Sequence, residues 1–337
     1  MLRATTRDNT AVLVRSVLVA VLLAAACDSE PSEESDPRPA TEPDAGERRQ
    51  APPGVPEVCS GCRTEALDRA DVAIRVHHVH LNVRDARETI GFYVKHFGAR
   101  EVWLNERESA LWADPLLILL DESAGDFPDA LEMGLEHVGL GVADPVMWFD
   151  AASREGLEID TRNGAPAAPV SMPLPAALSP FVDPGVDTFA YAYARGPNRE
   201  RIEVWSGLEG FRHVHFMARD VGATLGFYAR LLNAEPLIGS ADGDYALGDA
   251  LPLEAGVQLY YAAAPGIREF VPTDDRPLGH IAFSVTGLDA MFARTEQLSI
   301  GVVTPPERTE HGFRSFFVRG PDQVLIEFVE AAPVAVP

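Results

Sequence analysis

The sequence predicts an α+β protein built from four βαβββ modules arranged as two tandem pairs. Three observations carry this. First, the chain repeats itself: HVHLNVRDARETIGFYVKHFGA at 78–99 matches HVHFMARDVGATLGFYARLLNA at 213–234, and ARGPNRERIEVW at 194–205 matches VRGPDQVLIEFV at 318–329. Second, a short strand pattern opening with His occurs four times, at His78, His137, His213 and His280. Third, each of these strands is followed by a helical pattern and then by further strand-like runs, such as LLILLDE at 116–122 and RIEVWSG at 201–207.

The helices follow from apolar spacing. Ile90, Tyr93, Val94 and Phe97 fall at i, i+3, i+4 and i+7, the period of one helix face. Val221, Leu225, Tyr228 and Leu232 do the same, as do Leu288, Met291, Phe292 and Thr295. The second module starts its helix at Pro145, a residue suited to a first turn, with Trp148, Phe149 and Ala152 on its face. The Pro-rich stretch at 163–185 interrupts this module and has the length of a lid, a binding loop or a plain insertion. The expected boundaries are a first domain at 71–207, a second at 208–331 and a tail at 332–337.

The N-terminal part has a different composition. Residues 1–26 combine Arg3 and Arg7 with an apolar run that ends in small residues, the pattern of a secretory signal. The apolar run is too short for a permanent membrane span. The ending LAAAC resembles a bacterial lipobox, which implies cleavage before Cys27 and lipid on that residue. The segment 27–70 is rich in Pro, Glu, Ser and Asp and reads as a disordered tether. Within it, Cys59 and Cys62 stand as C-S-G-C, and in an exported protein this pair reads as a disulfide. The expected location is therefore outside the cytoplasm, on a membrane, facing periplasm or cell surface. A net charge of −23 argues against nucleic acid as a partner.

Strand alternation places the histidines. In HVHLNV, Val79, Leu81 and Val83 point to one face and His78, His80 and Asn82 to the other. The helix's apolar stripe must cover the apolar face, so the histidines point to the open side of the sheet. The same parity holds for His137, His213 and His280, and for Glu203 and Glu327 on the closing strands of modules two and four. Four histidines and two carboxylates in one register suggest metal ligation.

A module opening H-V-x-L-x-V-x-D, a following F-Y pair and an R-G-P-x…I-E ending together resemble the vicinal oxygen chelate superfamily. This family contains the glyoxalases, bleomycin-resistance proteins, extradiol dioxygenases and methylmalonyl-CoA epimerases. The resemblance implies cup-shaped mixed sheets with helices on the outer face, two modules to a cup, and one divalent metal (Fe, Mn, Ni, Co or Zn) in each. Carried over along the chain, it implies His78, His137 and Glu203 as the ligands of the first domain, and His213, His280 and Glu327 as those of the second. The fourth family position falls on Leu119 and Tyr260. Two His and one carboxylate leave metal positions open to a small-molecule substrate with two adjacent oxygens. His80 and His215 are candidates for a base or for orienting a ligand, with Tyr260 a third candidate catalytic group and Tyr245 and Arg314 further cup-lining residues. The pattern departs from extradiol dioxygenases in having no His between His215 and His280, and Phe at the Tyr position near Phe317. It departs from glyoxalases in its ligand count. The expected function is isomerase, lyase or dioxygenase-type chemistry, with non-catalytic small-molecule sequestration as the alternative. The second pair, whose modules are compact, is the expected active domain.

Overall fold

The computed structural model describes residues 74–330 except 107, 124–126, 128–132, 163–164, 174–187, 207–208, 234–235, 239–244, 248–257, 264–268 and 310. Cys27, Cys59 and Cys62 lie outside these residues. Module one comprises β1 (Ile74–Val83), α1 (Ala86–Phe97), β2 (Arg100–Trp103), β3 (Ser109–Ala113) and β4 (Leu116–Glu122). Module two is β5 (Leu135–Val142), α2 (Pro145–Arg154), β6 (Val170–Pro173), β7 (Thr188–Arg195) and β8 (Arg201–Ser206). Module three is β9 (Gly210–Ala218), α3 (Val221–Leu232), β10 (Pro236–Ile238), β11 (Tyr245–Leu247) and β12 (Gln258–Ala263). Module four is β13 (Leu278–Val285), α4 (Leu288–Gln297), β14 (Gly301–Arg308), β15 (Arg314–Arg319) and β16 (Leu325–Glu330). Of the interrupting stretch at 163–185, residues 170–173 form β6 at a sheet edge. Among the described residues no helix is long and apolar enough to cross a membrane.

The modules form two open, mixed, eight-stranded sheets. The pairing is not the sequential one. The first sheet runs β14-β15-β16-β13-β1-β4-β3-β2, joining modules one and four. The second runs β10-β11-β12-β9-β5-β8-β7-β6, joining modules two and three. Each sheet therefore takes half of each sequence repeat. The seams are antiparallel, β1 against β13 and β5 against β9.

Modules adjacent in sequence are held together through their helices. Trp148 of α2 donates its indole N–H to the carbonyl of His96 and packs its ring 5.2 Å from Phe97. The R-G-P turns act as staples. Asn198 accepts from the backbone N–H of Arg84 and donates to Thr89 Oγ1, tying the module-two turn to the start of α1. Asp322 does the same for α3, accepting from the backbone N–H of Arg219 and from Thr224 Oγ1. Tyr93 of the first G-F-Y triplet donates its hydroxyl to the buried Glu200 carboxylate. The repeated motifs thus have a structural role.

The helices begin where side chains satisfy their free N–H groups. Asp85, Asp144 and Asp220 each accept from the first turn of α1, α2 and α3. Gly98 closes α1 in the left-handed region at φ 65°. The helical stripes lie as expected except Val94, which is 43% exposed. Ile90 and Tyr93 already meet the core, and Val94 falls beyond the edge of the stripe. The apolar faces of both sheets and the four helices share one continuous core, in which Val79, Val138, Val214 and Ile281 are fully covered. The histidines are on the opposite faces.

Candidate metal centres

Because modules one and four share a sheet, the first cup gathers His78 from β1 with His280 and Glu327 from β13 and β16. The second gathers His137, Glu203 and His213 from β5, β8 and β9. This corrects the sequential grouping of ligands. His78 does not meet His137 and Glu203, and His213 does not meet His280 and Glu327. The physical reason lies in the antiparallel seam, which places His80 directly across from His280 and His215 across from His137. No cup belongs to the second repeat alone, so it cannot by itself be the active unit.

The donor atoms are closely set. In the second cup, Glu203 Oε2 lies 3.1 Å from His137 Nε2 and 2.9 Å from His213 Nε2. The two imidazole nitrogens are 3.3 Å apart. In the first cup, Glu327 Oε2 lies 3.1 Å from both His78 Nε2 and His280 Nε2. Ligands at ~2.1 Å from one ion and at right angles stand ~3 Å apart; the second set matches one face of a coordination shell in all three distances, and the first in both carboxylate–imidazole distances. His78 Nε2 supplies a further test: it is buried and near the carboxylate, yet outside hydrogen-bonding geometry. Such an atom is aimed at something other than the oxygen. The residues present fit a divalent metal in each cup.

A β-bulge precedes each ligand histidine. The register shifts place an extra residue at His77, Glu136, Arg212 and Gly279, directly before His78, His137, His213 and His280. A bulge residue escapes strict alternation. Glu136 shows the consequence: its Oε2 accepts from His137 Nδ1 at 2.9 Å and lies 3.2 Å from His215 Nδ1. Its other oxygen accepts from Arg201 Nη1, and Arg201 also covers the Tyr193 ring at 4.4 Å. A carboxylate on the outer nitrogen of a ligand histidine fixes the tautomer that presents Nε2 to a metal. In the first cup the matching bulge residue, before His280, is Gly279, while the bulge before His78 is His77, whose Nδ1 is 2.8 Å from His78 Nδ1. Glu136 and His77 touch candidate ligand histidines, although strand parity assigns them to the helix face.

The two cups differ electrostatically. Burial alone would lower the His137 pKa, but hydrogen bonds to Glu136 and Glu203 raise it to about 9. Burial pushes His78 down to about 3 against the pull of Glu327, and His77 down to about 4. Burial would raise Glu203 and Glu327, but their paired histidines hold both well below the usual carboxylate range.

The remaining predicted residues fall as follows. His80 and His215 both face their cups, each stacked on a ligand histidine: His80 on His280 at 4.5 Å and His215 on His137 at 4.6 Å. His80 Nε2 lies 3.0 Å from Asp121. Leu119, across from His80, is buried in an apolar cluster with Val102, Leu104, Trp112 and Leu117 that forms one wall of the first cup. Tyr260 pairs with His215 in backbone register, and Tyr245 sits on β11; both side chains lie outside the described residues. Arg314 does not line a cup. Its guanidinium pairs with Asp289 of α4 and with Glu330, because it shares parity with the core residues Phe316 and Val318. Phe317 stands across from Glu327, and at the matching place in the second cup Tyr193 stands across from Glu203. The Tyr missing from one cup is present in the other.

Comparison with known proteins agrees with this architecture. Glyoxalase I from Zea mays has 17% identity and a TM-score of 0.55 over 77% of this chain and 93% of its own. A candidate dioxygenase from Bacillus subtilis has 14% identity and a TM-score of 0.52 over 77% of this chain and 86% of its own. These likenesses concern the fold. No curated protein matches the sequence. The sequence profile of the Glyoxalase/Bleomycin resistance protein/Dioxygenase superfamily matches residues 75–166 and 210–328, most of both repeats, and the chain belongs to that superfamily.

Proposed function

We propose that this protein is a metal-dependent enzyme acting on a small molecule that presents two adjacent oxygens, with isomerase, lyase or dioxygenase-type chemistry. The observation that supports it is the pair of His-His-Glu sets in which each carboxylate oxygen stands 2.9–3.1 Å from both imidazole nitrogens. A bound divalent metal would supply Lewis-acid chemistry, lowering the pKa of a substrate hydroxyl or stabilising an enolate.

The chain's own residues supply the rest. His78, His280 and Glu327, and His137, Glu203 and His213, offer three donors to each ion and leave the other coordination positions to substrate. In the first cup, Leu117, Leu119 and Phe313 give an apolar wall for the body of the molecule. In the second cup, burial pushes the Tyr193 hydroxyl far up, so it stays a proton donor at neutral pH. His215, whose Nδ1 lies 3.2 Å from Glu136, is the base of that cup in this reading.

The N-terminal pattern supports an exported, membrane-anchored protein with lipid on Cys27 and a Cys59–Cys62 disulfide. Incorporation of labelled palmitate, lost in Cys27→Ser, tests the anchor.

Elemental analysis of the purified protein tests the metal reading. Glu327→Ala and Glu203→Ala each remove one ligand from one cup and leave the other intact. Each is expected to lose about one equivalent of transition metal, and the double variant about two. Unchanged metal content in both single variants sinks the metalloenzyme and leaves sequestration as the function.

A further inference from the structure

We infer a second cation site in the first cup, formed by His80, Asp121 and His311 and lying beside the His78–His280–Glu327 set. One donor atom from each of the three lies within 4.8 Å of the others. The residues come from three separate places: β1, the end of β4, and the turn between β14 and β15. Nothing in the strand hydrogen bonding requires these side chains to converge.

Two details point to an ion rather than to a plain hydrogen-bonded network. The first is His80 Nε2. It is buried and 3.0 Å from Asp121 Oδ2, yet outside hydrogen-bonding geometry. His78 Nε2 stands in the same relation to Glu327 in the neighbouring set. The second is His311. Its Nδ1 is held by the Glu108 carboxylate, while its Nε2 faces Asp121 Oδ1 at 3.7 Å. A carboxylate on Nδ1 fixes the tautomer whose Nε2 carries a lone pair for a metal. The Glu136–His137 pair makes the same arrangement in the other cup.

The donor set is two imidazoles and one carboxylate, which suits Zn, Co or Ni. It is looser than the neighbouring set, where the paired atoms are 3.1 Å apart. Asp121 is also 37% exposed. The ion held here is therefore weaker and more exchangeable. This gives His80 a ligand's part rather than a base's. It also adapts the first cup to a substrate carrying an anionic group beside its chelating oxygens.

The test is Co2+ titration of the chelator-treated full chain, read by equilibrium dialysis and by the visible Co2+ spectrum. The variants are His311→Gln, Asp121→Asn and Glu108→Ala, with Glu327→Ala alongside and circular dichroism to confirm folding. The wild type is expected to take up one more equivalent than His311→Gln or Asp121→Asn, and the lost equivalent is the weakest-binding one. Glu108→Ala is expected to weaken that same equivalent about tenfold. Equal stoichiometry and affinity in wild type, His311→Gln and Asp121→Asn overturns the proposal. Loss in Glu327→Ala alone leaves the neighbouring set standing and this one refuted. Loss in His311→Gln and Asp121→Asn alone does the reverse. No uptake by the wild type refutes both.

Discussion

The two cups have the same ligand types and opposite means of supporting them. Each has two histidines, one glutamate, and an extra histidine stacked on a ligand ring. In the second cup the supporting carboxylate is Glu136, at the bulge before His137; it accepts from His137 Nδ1 and lies 3.2 Å from His215 Nδ1. In the first cup that bulge residue is Gly279, and the carboxylate is instead Asp121, on the far side of the stacked pair. Arg201, which anchors Glu136, has Leu325 as its counterpart in the repeat. Moving one carboxylate from one side of an imidazole stack to the other changes what the stack can do. In the second cup it locks the ligand histidine. In the first it leaves the extra histidine facing its own acidic partner.

Glu136→Gln should separate the two cups most directly. The side-chain amide still has an oxygen to accept from Arg201, so the buried guanidinium keeps a partner. The amide N–H2 then faces His137 Nδ1 and favours the tautomer with its proton on Nε2, where a ligand needs a lone pair. Metal affinity of the second cup is expected to fall 10–100-fold, with the first cup unchanged. Chelator competition on Glu327→Ala and Glu203→Ala backgrounds reads the cups separately. An equal loss in both cups, or none in the second, removes the distinction.

A second effect separates the cups by pH. Ligation requires neutral imidazole, so a protonated histidine must release its proton when metal binds. In the chelator-treated protein His137, at about 9, is protonated at neutral pH, whereas His78, at about 3, is neutral. Affinity of the second cup is therefore expected to fall about tenfold for each unit of pH below 9 through His137, a loss to which His78 adds nothing in the first cup between pH 9 and 6. The same shifts act on folding. His137 adds stability below its unfolded value of 6.5, and this is lost as pH rises through 9. His78 costs nothing above 6.5, where it is neutral in both states, and lowers stability as pH falls from 6.5 towards 3. Calorimetry in buffers of different ionisation enthalpy measures the released proton. Equal release from both cups contradicts the assigned difference.

How far the sequence foretold this can be judged residue by residue. Period-2 alternation correctly turned His78, His137, His213, His280, Glu203 and Glu327 away from the helices, because a strand with one buried face has a strongly specified register. It could not say which of them meet. Self-similarity reveals which modules are alike, while sheet partnership depends on which strand edges pair, and sequential and crossed pairings bury the same apolar faces. Glu136 and His77 were hidden by bulges, which leave no mark in these strands and undo alternation locally. Asp121 was legible: it lies two residues beyond Leu119 on the same face of LLILLDE. His311 was not, since a turn residue has no strand phase to place it.

The scaffold, unlike the cups, should respond alike in both repeats. Asn198 and Asp322 occupy the same place in the two R-G-P turns and staple α1 and α3. Asn198 is 2% exposed, so Asn198→Ala leaves the Thr89 hydroxyl without this donor in a buried place and the Arg84 N–H without this acceptor in a half-buried one. A cost of about 1–3 kcal/mol is expected. Asp322 is only partly buried, and water can replace much of what Asp322→Ala removes. Its cost is expected to be nearer 1 kcal/mol. Neither change should alter metal affinity in either cup, because the staples join helix to turn on the faces opposite the ligands. Thermal unfolding with metal titration on the same samples decides this. If Asn198→Ala also weakened one cup, the helix layer would be setting the spacing of that cup's histidines, and the difference between the cups would no longer be local to their side chains.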